Sequence, residues 1–175
     1  MIINVMFLDA KEVVFHESSG GLDCMYNHDL NDITIKIRNY KYIDNDFQKS
    51  LLNEPIIEIK SKGLHKTLIT NIDDELFKKY YFSIENLNFD KLYSENYNNF
   101  SDDGYEFDLE INKKHGNSRY NKKIELWTPY YNKENPEINK LLKIYEEIRI
   151  LANYEEYYKI IEQKRKLFKK KYNDE

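Results

Sequence analysis

The sequence predicts an α+β fold: a mainly antiparallel sheet with one central helix and a long or broken C-terminal helix. Three observations carry that prediction. Ile33, Ile35 and Ile37 alternate with Thr34, Lys36 and Arg38, which is the period of a strand with one wet face. Apolar residues recur at helical spacing from Leu76 to Leu87 and again from Ile138 to Ala152. The order runs strands, helix, hairpin, helices, and not as a repeating strand–helix–strand unit.

Each element has a local cause. Ile3, Val5 and Phe7 alternate, as do Val13 and Phe15, so both stretches read as strands. Ser18-Ser19-Gly20-Gly21 is a turn signal. The clearest strand runs from Asp32 to Tyr42. Pro55 opens another, Ile56 to Lys60, and Gly63 permits a turn back through Leu68 to Ile72. Asp73-Asp74-Glu75 places acids at the positive end of a helix dipole, and Leu76, Phe77, Tyr80, Tyr81, Ile84 and Leu87 follow as its apolar stripe. Tyr93 to Ser101 is polar and Asn-rich, which reads as a loop. Asp103-Gly104 introduces a strand whose Tyr105, Phe107, Leu109 and Ile111 face inward. Gly116-Asn117 turns the chain into a second strand, Arg119 to Trp127, stopped at Pro129. Asn135 suits an N-cap and Pro136 the first helical position. The helix beyond is either continuous or broken near Asn153, because no Pro or Gly forces a break.

At 175 residues the chain suits one domain spanning 1–175, large enough for a core without disulfides or metals. Asn, Ile, Lys and Tyr supply 79 of the 175 residues. Their codons are AT-rich, so an AT-rich bacterial or phage genome explains the bias, and a Lys cluster here carries little functional information. The net charge of −4 argues against a nucleic-acid partner. No apolar run approaches the roughly 18 residues of a membrane span, so no membrane partner is expected. Cys24 is the single cysteine; with no secretory signal, a reducing cytoplasm is the expected compartment. Cys24 itself reads as a packed thiol, despite His28 four residues on.

Most chemistries fail for want of residues. Neither a P-loop nor a dinucleotide-binding glycine motif occurs. His16, His28, His65 and His115 lack metal-ligand spacing, and Ser18-Ser19 lacks a nucleophile-elbow sequence. No cofactor is expected. The alternative enzymatic reading rests on Ile57-Glu58-Ile59-Lys60, which resembles the core of the PD-(D/E)xK nucleases. That resemblance implies Asp46 and Glu58 as metal ligands and Lys60 as the catalytic lysine. The Pro-Asp pair of that family is absent, and Glu162-Gln163-Lys164 shows how readily the pattern recurs in this chain.

Two charge features remain. Asp102, Asp103, Glu106, Asp108 and Glu110 form an acidic stretch, with the last three alternating on one strand face and Glu125 on its neighbour. Crowded carboxylates repel one another, so a basic partner is the expected ligand of this face. Near the C-terminus, Lys164, Arg165, Lys166, Lys169, Lys170 and Lys171 form a basic run that complements a helix dipole. Trp127 falls in period with Lys123 and Glu125, and packing over the next helix is its expected role.

From Asp102 to Ala152 the order of Asp103-Gly104, a hairpin ending in Trp127-Thr128-Pro129, a short loop and an amphipathic helix resembles several small bacterial α+β families. These include immunity proteins that accompany polymorphic toxins. The resemblance implies a cytosolic, non-enzymatic protein that neutralises a basic toxin or effector by binding it. It carries over no catalytic residues.

Overall fold

The computed structural model describes residues 9–19, 30, 32–45, 48–52, 54–64, 66–93, 105–115, 118–127, 129 and 133–173. A six-stranded sheet forms from β1 (Ala10–Ser19), β2 (Ile33–Arg38), β5 (Ile56–Ser61), β6 (Thr67–Asn71), β7 (Tyr105–His115) and β8 (Ser118–Trp127). Its order is β6-β5-β2-β1-β7-β8, and every neighbouring pair is antiparallel. A two-stranded hairpin, β3 (Lys41–Asn45) with β4 (Gln48–Leu52), lies outside that sheet. The helices are α1 (Asp74–Glu85), α2 (Phe89–Tyr93), α3 (Pro136–Leu151) and α4 (Tyr154–Asn173).

The fold class stands, but several expected details do not. Where one central helix is expected, two occur among the described residues, α1 and α2, which with α3 and α4 makes four helices there. Asn88 ends the first helical stripe and starts α2, its Oδ1 accepting from Lys91 N at 3.2 Å. The strand expected from Asp32 to Tyr42 stops at Arg38. Asn39 diverts it by accepting from Lys11 N at 2.8 Å and donating to the Asp9 carbonyl at 2.7 Å, bonds that turn the chain out of the ladder. Ser18 and Ser19 continue β1, held by ten consecutive register pairs to β7. Of the two C-terminal alternatives the broken helix forms. Asn153 has φ 57, a left-handed conformation that Asn tolerates, and the chain restarts as α4. The first expected strand (Ile3, Val5, Phe7), Cys24, His28, His65 and the Tyr93–Ser101 loop beyond Tyr93 lie outside the described residues.

Period two decides which side of the sheet is covered. Val13 and Phe15 of β1, Ile33, Ile35 and Ile37 of β2, Ile57 and Ile59 of β5, Phe107, Leu109 and Ile111 of β7, and Ile124 and Leu126 of β8 are all buried on one face. The helices answer with Phe77, Tyr81 and Ile84 from α1, Ile138, Leu141, Tyr145 and Ile148 from α3, and Tyr157 and Ile161 from α4, forming one apolar cluster. Tyr145 sits at its centre, 4.9 Å between ring centroids from both Phe15 and Phe107. Caps fix the helix starts: Asp73 accepts from Leu76 N at 2.7 Å, and Asn135 accepts from Glu137 N at 2.8 Å. Tyr157 anchors α4 to the far edge of the sheet. Its hydroxyl accepts from Ser61 N and donates to the Lys66 carbonyl, both at 2.7 Å.

Candidate functional site

None of the four helices packs on the other sheet face among the described residues, and polar side chains line it in register. One row reads Glu58, Lys36, Val14, Glu110, Lys123 from β5 to β8; the next reads Lys60, Thr34, His16, Asp108, Glu125. The sequence expectation of carboxylates on one strand face therefore holds for Glu106, Asp108 and Glu110, with Glu125 directly opposite Asp108. Asp102 and Asp103 lie outside the described residues.

The acids are more compensated than alternation alone suggests. Lys123 Nζ lies 3.1 Å from Asp108 and 2.7 Å from Glu125. Those two carboxylates hold the Lys123 ammonium well above its usual range, and Lys123 in turn lowers the Glu125 carboxyl. His16 Nε2 is 2.5 Å from Asp32 Oδ1, and its Nδ1 faces Asp108 Oδ2 at 3.7 Å. Asn121 donates to Glu110, and Ser18 donates to Glu106 at 3.3 Å. Glu106 and Glu125 nonetheless remain exposed, the Glu125 side chain at 73%. Between the Glu12 and Ser18 positions of β1, the β1–β7–β8 half presents Glu12, Glu106, Asp108, Glu110 and Glu125 against Lys123 and His16. Toward the hairpin tip the sign reverses, with Lys114 opposite Arg119.

The β2–β5 half is different. Arg38 Nη2 donates to Glu58 Oε2 at 2.6 Å, and the two side chains are only 10% and 14% exposed. Tyr40 donates to Glu12 at 3.3 Å, and the Arg38 guanidinium lies 5.4 Å from the Tyr40 ring centroid. Sequence alone placed Arg38 and Glu58 on the wet side of their strands. Their burial reflects cover at this end of the face, where Tyr40 and Ile56 are buried too. Of the nuclease set, Glu58 and Lys60 share a face two residues apart, with Glu58 engaged by Arg38 and Lys60 exposed; Asp46 lies outside the described residues. No group of three or more His, Cys, Asp or Glu residues suited to a metal ion occurs among the described residues.

A second ionic cluster was missed by the sequence reading. Glu17 follows Val13 and Phe15 in period two, so it points toward the helices, and that parity was the available signal. Tyr154 donates to its carboxylate at 3.2 Å. Burial pushes the Glu17 carboxyl up, opposed by the Arg149 charge and by hydrogen bonds from Tyr145 and Tyr154. Arg149 lies 3.8 Å from the Tyr154 ring centroid and pairs with Glu146 at 2.8 Å. This cluster joins β1 to the α3–α4 junction.

Trp127 is opposite Glu106 in the ladder, and its side chain lies outside the described ones. The basic run lies on α4, where Arg165 pairs with Glu162 and Lys164 donates to the Gly63 carbonyl, so part of it is structural. No helix among the described residues is long and apolar enough to cross a membrane. Compared with protein-family profiles, curated proteins and solved structures, the chain shows no match.

Proposed function

We propose that the protein is a non-enzymatic binding module, an immunity or inhibitor protein that masks a basic surface of a toxin or effector. The observation that carries this reading is the polar β1–β7–β8 face, where Glu106, Asp108 and Glu110 share one side of β7, Glu125 stands opposite Asp108 on β8, and Glu106 and Glu125 are exposed. Rigid strands fix these carboxylates at the spacing of the ladder. A cationic partner therefore meets a preorganised array and orders few side chains on binding. Asp102 and Asp103 precede the same strand and extend the acidic stretch in sequence.

The structure refines the choice of variants. Asp108 holds Lys123 and faces His16, so its replacement disturbs the fold as well as the surface. Glu106→Lys, Glu110→Lys and Glu125→Lys together reverse the face and leave the Asp108–Lys123 and Asp108–His16 contacts in place, at the cost of the exposed Lys123–Glu125 pair. Co-expression with candidate toxic effectors, the products of neighbouring genes first, followed by co-purification, is the test. The wild-type chain should protect the host and co-purify with the effector, whereas the triple variant should do neither and still fold. Undiminished binding by the triple variant rejects the acidic face as the interface.

A further inference from the structure

We propose that β6 is the self-association edge of this protein, pairing antiparallel with β6 of a second copy to join two sheets into one. The inference is independent of the proposed function, because β6 and the acidic β7–β8 ladder lie at opposite ends of the sheet.

Among the described residues the sheet ends at β6 and at β8, and these two edges are built differently. The edge strand β8 carries Arg119, Lys122, Lys123 and Glu125, the kind of charge that natural proteins place on an edge to keep other chains away. The edge strand β6 is Thr67-Leu68-Ile69-Thr70-Asn71, with no charged residue. Ile69 at its centre is 50% exposed. Thr and Ile favour extended backbone, so nothing in the strand blocks a further partner.

The backbone groups available are defined by the ladder. Ile72 N donates to the Pro55 carbonyl at 3.0 Å, and hydrogen-bonded and non-hydrogen-bonded pairs alternate along an antiparallel ladder. Thr70 and Leu68 thus bond to Ile57 and Ile59 of β5, while Thr67, Ile69 and Asn71 direct their N–H and C=O groups outward. Lys62 N donates to the Asp32 carbonyl at 3.0 Å, which gives β5 the complementary alternation toward β2.

Charge at the strand ends selects a second copy as the occupant. Exposed Lys60, Lys62 and Lys66 gather at the start of β6, and exposed Asp73, Asp74 and Glu75 follow its end. A strand that is basic at one end, acidic at the other and uncharged between is complementary to itself when paired antiparallel. A two-fold axis at Ile69 sets Thr67 opposite Asn71 of the second copy and Ile69 against its counterpart. Three outward pairs exchange about six backbone hydrogen bonds. The lysines then approach the second copy's Asp73 and Glu75. Such a short interface belongs to the weak, concentration-dependent class.

Sedimentation equilibrium of the full chain, loaded from about 1 µM to about 1 mM, is the test. The mass should climb from 21.3 kDa toward twice that value, and high salt should shift the equilibrium toward the single chain. Ile69→Lys puts two ammonium groups together at the axis and should raise the dissociation constant at least about ten-fold. Lys66→Glu should weaken association, and Lys66→Glu with Glu75→Lys should restore it; circular dichroism confirms that each variant folds. A wild-type mass of 21.3 kDa throughout the range overturns the proposal, as does a dimer indifferent to Ile69→Lys and to the charge swap.

Discussion

The two halves of the polar sheet face use the same residue types at the same period and put them to different ends. In the β2–β5 half, Arg38 and Glu58 are locked together and nearly sealed from water. In the β1–β7–β8 half, Glu106 and Glu125 stay in solvent and Lys123 is shared between two acids. The contrast teaches that alternation sets which face a charge occupies, whereas cover sets what the charge does. A desolvated pair is costly to break, because removing one partner strands the other. An exposed pair contributes little to stability and leaves its charge available to a ligand.

The sharpest way to break the contrast is Arg38→Ala. It strands Glu58 and should destabilise the fold by about 3 kcal/mol in urea titration. The double variant Arg38→Met with Glu58→Leu should recover most of that loss, since neither charge is then left behind. A loss under about 1 kcal/mol for Arg38→Ala would show the pair to be effectively exposed. Next in size is the left-handed elbow. Asn153→Val should cost about 1–2 kcal/mol, and Asn153→Gly should be tolerated, by thermal unfolding. Glu106→Gln and Glu125→Gln should each change stability by less than about 0.5 kcal/mol while weakening effector binding in the co-purification assay. A larger stability change would make the acidic half structural as well.

Glu17 supplies a pH-dependent version of the same comparison. Burial raises its folded-state pKa above the ordinary 4.5. For a group raised on folding, the associated stability is fully present below the unfolded value and lost as pH rises through the folded one. Replacing it with Gln removes a charge from a desolvating site and keeps an acceptor for Tyr154. Glu17→Gln should therefore be more stable than wild type at pH 7, with the advantage shrinking to nothing as pH falls below 4.5. Equal melting curves at pH 7 would mean that Arg149 fully offsets the desolvation.

Much of this architecture was legible in the sequence because period and capping are local. Ile33, Ile35 and Ile37 face the core as alternation requires, and Asp73 and Asn135 cap helices where their spacing places them. The carboxylates of β7 fall on one face for the same reason. The rest was nonlocal. Asn39 ends β2 through bonds to Asp9 and Lys11, about thirty residues away. Glu58 is desolvated at an end of the sheet that no strand period reveals. The contrasting edges, β6 and β8, become edges only once strand order is known. The helix break at Asn153 stayed open because Asn is compatible with both the continuous and the broken form.

The strand order also carries a consequence for how the chain folds. Strand β1 is central to the sheet, yet one of its partners, β7, begins more than eighty residues after β1 ends, and Ser61 meets Tyr157 across 96 residues. Loop closure over such distances precedes the contacts that reward it, so β1–β7 pairing is slow relative to the local β5–β6 and β7–β8 hairpins. During synthesis the apolar face of β1 and β2 waits for β7 and then for Tyr145 of α3. Until they arrive, the flank of β1 destined for β7 is a temporary open edge and the sequence most in need of protection from aggregation.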